Sequence, residues 1–512
     1  MQSSLQPGDG VGSLAGVANG HSFCPPLSRR FVLIAAILAS ALGFIDGSVV
    51  AIAVPAIRTD LGASLAEAQW VANGYALTLS ALILVGGAAG DRFGLRHTFV
   101  VGIALFVAAS LACALAPDPT MLVLFRAIQG AGAAVMVPCS LAIIAKAYPK
   151  KERGRAIGIW AAASALTTAL GPVLGGWMLA WFGDPVWRAI FAINLPLGAI
   201  AIYLLLAKVP ADPAAGKRDL DPGGAVLATL AFGAIAYGLT AMSGDSGKTV
   251  AGTSLVAGMA VLAGFVAWEL RQREPMIDLS LFRNGAFAGA NLATFFLYFA
   301  LSAILFYLPM LLIAGWGLNA GEVGFIFLPL SACIALLSGP VGRLSDRIGP
   351  RIPLAAGSAL VAIAFAGLSL LTHAGVHRFW DGVFPAMVLM GLGMALVVSP
   401  LSTAVMTSVE DEDTGAASGI NNAVSRVAGL VAVAAMGTVA AWVYARAPGI
   451  AGADGMPGFG EPMPAGLAPT LDAARIAASD AAFAAVALVT ALLCGLSAVT
   501  AWVSTPGNAG ES

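Results

Sequence analysis

Charge is scarce in this chain of 512 residues. Lys and Arg number 26 and Asp and Glu 27, together 10% of the total, where soluble globular proteins carry about a quarter. Such a chain lacks the polar faces that a large soluble helical protein presents to water. Cysteine is also sparse. Cys24, Cys113, Cys139, Cys333 and Cys494 are scattered, four of them in apolar runs, which suggests neither a disulfide framework nor a metal cluster. The pair His373 and His377 offers too few ligands for a metal. A Lys-Ser or Lys-Thr phosphate loop is missing, which argues against ATP hydrolysis. No nucleophile lies in a pattern with a base, so neither an enzyme nor a cofactor is expected.

What the chain has is long apolar runs, with mean hydropathy +0.88. A membrane-spanning helix needs about 20 mostly apolar residues. Fourteen runs qualify: 31–54, 69–89, 98–116, 120–143, 155–182, 189–207, 222–241, 249–268, 285–313, 321–342, 352–372, 381–406, 415–443 and 480–503. The first is too long and begins too late for a signal peptide. With the N-terminus placed in the cytoplasm, eighteen Lys and Arg fall in inside loops and six outside, leaving Arg126 and Arg426 within helices. That bias follows the positive-inside rule and puts both termini in the cytoplasm. The cluster from Lys146 to Arg155 then anchors a loop at an anionic lipid surface rather than on nucleic acid.

Two stretches match at a spacing of 255 residues: GAAGDRFGLRH after the second run and GRLSDRIGPRI after the tenth. Internal duplication of this kind builds transporters with a site between two halves. The expected organisation is a disordered cytoplasmic 1–29, a six-helix bundle over 30–208, a two-helix insert over 219–270 and a second bundle over 283–503. An outside loop spans 444–480, read as coil, with a short amphipathic helix near TLDAARIAA as the alternative.

These motifs resemble the major facilitator superfamily, specifically its 14-helix drug:proton antiporter subfamily. The resemblance runs from about Arg30 to Val503. The loop pattern Gly-x-Leu-x-Asp-Arg-x-Gly-x-Arg occurs as Gly87–Arg96, with Ala89 in the leucine place, and complete as Gly342–Arg351. RAIQGAGAA (Arg126–Ala134) is similar to the fourth-helix motif, and GPVLGG (Gly171–Gly176) to the antiporter motif of the fifth helix, with Thr167 where an upstream glycine is usual. WRAIFAINLPLG and IDGSVVAIAVP resemble the sixth- and first-helix motifs, the latter with Ala51 in place of an asparagine. The resemblance implies an all-α membrane protein of two six-helix bundles plus two extra helices. It would be a monomer in the bacterial inner membrane, exporting hydrophobic or cationic drugs in exchange for protons and driven by the proton gradient. A dedicated exporter of one metabolite, antibiotic or siderophore is the alternative. A non-transporting receptor or assembly protein on the same fold is a third reading.

Asp46 is the only acid well inside an apolar run. Ionisable groups are expensive there and face the bundle interior or a cavity. Its readings are proton coupling, contact with a cationic substrate, or a structural carboxylate. Arg126 needs acceptors; the family links this arginine to proton transfer, and an inter-helix clamp is the alternative. Gly87, Asp91, Arg92, Gly94 and Arg96, and the second copy Gly342, Asp346, Arg347, Gly349 and Arg351, are candidates for a latch that breaks when the cytoplasmic side opens. Gly171, Pro172, Gly175 and Gly176 permit kinking and tight packing, and the resemblance suggests a seal. Gln129, Asn291, Phe295, Tyr298, Phe299, Tyr307, Asn421, Asn422 and Arg426 are candidates to line a substrate cavity, although aromatics at such spacing equally serve packing.

Overall fold

The computed structural model describes residues 24–212, 221–242, 247–272, 275, 277–410, 413–451, 456–461 and 468–505. The expected disorder of the first residues falls outside this set. Among the described residues every regular element is helical, and fourteen helices are long and apolar enough to cross a membrane. They are α1 (Pro26–Leu61), α2 (Leu65–Phe93), α3 (Leu95–Ala114), α4 (Pro119–Ala147), α5 (Glu152–Phe182), α6 (Asp184–Lys208), α7 (Pro222–Ala241), α8 (Lys248–Glu269), α9 (Gly285–Gly315), α10 (Ala320–Ile348), α11 (Arg351–His373), α12 (Phe379–Thr407), α13 (Ala416–Arg446) and α14 (Pro469–Ser504). An even number of crossings returns Ser504 to the face where α1 begins.

Local sequence sets the ends. Ser64 and Glu67 form a reciprocal capping box at the start of α2, satisfying two orphan amides at once. Asp118 caps α4 through Met121 N–H, and Pro119 starts the helix where no amide donor is needed. Gly94 separates α2 from α3 at φ 90°, a region that side chains other than glycine rarely adopt.

The chain packs α1, α3, α4 and α6 with α2 and α5 in one bundle, and α9 to α14 in the other. The insert helices α7 and α8 pack on each other, and α7 bridges α2 and α13. Thr438 of α13 donates to Leu239 O at 2.7 Å, and Trp70 of α2 lies 6.4 Å from the Tyr237 ring.

The last helix departs from the hydropathy reading. It begins at Pro469 rather than near 480, so the coil of the 444–480 segment is confined to what lies between Arg446 and Pro469. The amphipathic TLDAARIAA stretch is its first turns. Charge hid it: Arg475 pairs with Asp472 at 2.8 Å and donates to Ala314 O and Gly315 O at 2.7 and 3.1 Å. Those carbonyls belong to a π-helical turn, Leu311–Gly315, at the end of α9. Asp480 is likewise buried inside α14, accepting from Trp316 Nε1 at 2.7 Å and lying 2.6 Å from His377 Nε2.

Candidate functional site

Asp46 of α1 and Arg126 of α4 meet in the first bundle. Each is 1% exposed, and Arg126 Nη1 donates to Asp46 Oδ2 at 2.5 Å. Gln129, one turn along α4, closes a triangle: its Nε2 donates to Asp46 Oδ1 at 2.9 Å and its Oε1 accepts from Arg126 Nη1 at 2.7 Å. Arg126 Nε donates to Val71 O at 3.0 Å, and its guanidinium lies 4.4 Å from the Tyr75 ring centre. Gln129 Nε2 also reaches Ser110 Oγ at 3.3 Å, which accepts from Asn194 Nδ2 at 2.9 Å and donates to Phe191 O. Both carboxylate oxygens are therefore engaged, as a buried charge requires. Asp46, a candidate contact for a cationic substrate, is committed to Arg126 in this conformation. Gln129, a candidate cavity residue, is part of the ion-pair cluster instead.

One end of the molecule is open between the bundles. A cleft of about 760 Å³ is lined by Ile83, Leu84, Gly87, Asp91, Pro138, Ala142, Asp413, Gly419 and Asn422, among others. Its walls are α2 and α4 of the first bundle and α13 of the second. The two Asp-Arg loop motifs lie at this end, and among the described residues neither Asp91 nor Asp346 makes a hydrogen bond or ion pair. The carboxylate that caps α3 is Asp212, in the segment after α6. It accepts from Leu95 N at 3.0 Å, from Arg96 N at 2.9 Å and from Lys146 Nζ at 2.9 Å. Burial alone would raise its pKa; the two amides and the ammonium outweigh that and hold it below the usual carboxylate range. Arg96 itself donates to Leu205 O and Leu206 O at 2.9 and 3.0 Å. In the second copy Gly349 takes φ 79° and Arg351 lies 4.4 Å from the Trp502 ring. Asp212 was invisible as a site in the sequence, where it is one of several charged residues in the linker after α6.

The opposite end is sealed. Gln69 Nε2 donates to Tyr307 Oη at 2.8 Å, joining α2 to α9, and Tyr307 donates to Val433 O. Tyr307 thus belongs to the seal rather than to an open cavity wall. The antiporter-motif glycines lie here too: a Cβ on Gly176 would sit 2.3 Å from Ala320 O, and one on Gly324 would sit 2.7 Å from Pro172 O. Side chains at these two positions would hold α5 and α10 apart. Arg58 at the end of α1 donates to Phe459 O at 2.9 Å and to Glu461 Oε1 at 3.0 Å, pinning the segment between α13 and α14 across the bundles.

Within the second bundle, Asn421 Nδ2 donates to Asn291 Oδ1 at 3.1 Å and to Thr294 Oγ1 at 2.8 Å. Phe295 lies 6.1 Å from Phe299, which is largely buried, as packing would have it. Tyr298 is only partly covered, and Arg426 has no hydrogen-bond or ion-pair partner among the described residues, its Nε fully buried.

A family model described as "Major Facilitator Superfamily" matches residues 36–433. The chain belongs to the major facilitator superfamily. It is 34% identical over 421 residues to the multidrug resistance protein Stp of Mycobacterium tuberculosis, covering 82% of this chain and 77% of that protein. It is also 34% identical over 452 residues to the probable actinorhodin transporter of Streptomyces coelicolor, covering 85% and 76%. The fold superposes on a bacterial homolog of the human lysosomal transporter Spinster, solved inward-facing and unoccupied, with TM-score 0.66 at 17% identity, over 94% of this chain and 99% of that one. This superfamily member is a transporter of the drug-resistance branch with an alternating-access fold, and a multi-pass membrane protein of the kind found in bacterial inner membranes.

Proposed function

We propose that the protein is a proton-coupled antiporter that exports hydrophobic small molecules from the cytoplasm by alternating access. The observation that carries this reading is the buried Asp46–Arg126 ion pair. A guanidinium and an amide each donate one hydrogen bond to that carboxylate, the compensation a buried charge needs. Opening the sealed end would admit water and protons to Asp46. Protonation removes the attraction to Arg126, and the free energy so released or consumed is the coupling between proton and conformation. Closing that end restores the charged pair and returns the proton toward the cytoplasm. The positive-inside bias assigns the open, motif-bearing end to the cytoplasm, so the conformation described here is the one that loads substrate.

The two bundles, residues 30–208 and 283–503, are the rocking bodies, with 219–270 riding on them. The Asp91 and Asp346 motifs form the cytoplasmic latch, and Gly171–Gly176 forms the outer seal. The similarity to a multidrug resistance protein and to a probable actinorhodin transporter supports efflux of a drug-like cargo. The chain works as a monomer in the lipid bilayer.

Expression in a bacterial host stripped of its own exporters tests this reading, using a panel of hydrophobic antibiotics and dyes. The expected result is raised tolerance to at least one compound and lowered accumulation of it, both abolished by a protonophore. Efflux that persists without a proton gradient would contradict it.

A further inference from the structure

The charges at membrane depth do not balance. In the first bundle Asp46 and Arg126 neutralise each other. In the second, Arg426 stands without a carboxylate among the described residues, and its Nε is buried without an acceptor. It lies ten residues into α13 from Ala416, about 15 Å along the axis. A guanidinium at such depth is costly unless it faces water or a partner, and its five donors need acceptors.

The helix spacing shows where it faces. Gly419 and Asn422 line the cleft between the bundles, and Arg426 follows Asn422 by four residues, on the same face and one turn deeper. Tyr75, stacked on Arg126 across the cleft, lies within electrostatic reach of Arg426, as does Tyr298. The helix face that leads inward from Gly419 and Asn422 therefore carries a positive charge with no counter-charge among the described residues. Asp91, Asp221, Asp278 and Asp413 line the mouth. Two of these are spent on local caps, Asp221 on Gly224 N and Asp278 on Ser280 N. Charges at a solvated mouth are screened within about 8 Å at physiological salt, and a partly buried guanidinium is screened less.

We infer that Arg426 is a substrate-binding residue, and that the cargo is an apolar ring compound bearing an anionic oxygen, a carboxylate or phenolate, rather than a lipophilic cation. The planar guanidinium fork takes such a group through two parallel hydrogen bonds. The partly exposed ring of Tyr298 covers the apolar body. This rests on the export reading for the location of the substrate path, and it narrows the cargo class.

Two xanthene dyes of similar shape and opposite charge test it: carboxyfluorescein, an anion, and rhodamine 6G, a cation. Binding to the purified full chain in detergent is followed by fluorescence anisotropy, and uptake is followed in inside-out vesicles. Wild type is expected to bind carboxyfluorescein the more tightly. Arg426→Gln should weaken that binding about tenfold or more, the scale of a charged hydrogen-bond pair, without weakening rhodamine 6G. Arg426→Lys should recover part of the loss and show that the site still folds. Preference for rhodamine 6G, binding of neither dye, or equal loss of both in Arg426→Gln would overturn the inference. Selective carboxyfluorescein binding without proton-driven uptake would leave the anion site standing and sink the antiport reading. Proton-driven uptake of rhodamine 6G alone would do the reverse.

Discussion

Asp46 and Arg126, eighty positions apart in the chain, form a 2.5 Å ion pair that neither solvent nor the open cleft reaches. Removing one member leaves the other charged and buried, which costs about 3–5 kcal/mol. Arg126→Gln is therefore expected to lower the melting temperature markedly. The double variant Asp46→Asn with Arg126→Gln should recover most of that stability while leaving the protein unable to couple. Thermal unfolding of detergent-purified wild type and the two variants checks the first statement, and substrate-driven proton flux checks the second.

Asp212 ties the α3 N-terminus to Lys146, and its charged form is the one stabilised. A carboxylate with a lowered folded-state pKa contributes stability that is complete above its unfolded value, near 4, and is lost as pH falls through the lower folded value. Asp212→Asn should cost about 1–3 kcal/mol at neutral pH. The gap between wild type and variant should close as pH drops below about 4. Melting curves across pH for the pair measure this, and a gap independent of pH would contradict the role of the charge.

Gly176 lets α5 touch the backbone of α10 at the sealed end. Gly176→Val places carbon atoms where Ala320 O now sits, so the seal cannot close. Spin labels on Thr59 and Gly317, which both line the outer groove, should move apart in the variant relative to wild type. An unchanged distance distribution would show that the seal does not depend on this contact.

Tyr307 bridges Gln69 and Val433 O at the same end. Tyr307→Phe removes both bonds and leaves buried polar atoms unsatisfied, a cost of about 1–3 kcal/mol each. The penalty falls on the closed seal alone, so hydrogen exchange of the outer ends of α2 and α13 should accelerate. The N-terminal end of α3, held by Asp212, should exchange as before.

Much of this was legible in the sequence because the membrane imposes a simple rule. A span must be apolar throughout, so runs of low charge mark the helices, and the duplicated Asp-Arg loops mark the two bundles. The last helix breaks the rule: Arg475 is satisfied by Asp472 and two carbonyls, and Asp480 by Trp316 and His377, contacts that no window of hydropathy sees. The rarity of Asp46 and Arg126 singled them out, but their pairing was not visible, because it depends on how α1 and α4 pack. Gln129 and Tyr307 were read as cavity polar groups for the same reason. One completes the ion-pair cluster and the other fastens the seal. Arg426 was visible as a charge in a helix, while the lack of a counter-charge for it among the described residues emerges only from the packing.

The most direct test of the central claim uses inside-out membrane vesicles with an acidified lumen and a fluorescent reporter of the pH gradient. Compounds that raise host tolerance are added to vesicles carrying wild type or Asp46→Asn. The account predicts that substrate dissipates the gradient with wild type and leaves it intact with Asp46→Asn, although the variant still binds the compound. Dissipation that survives the Asp46→Asn substitution would contradict it and place proton coupling elsewhere in the chain.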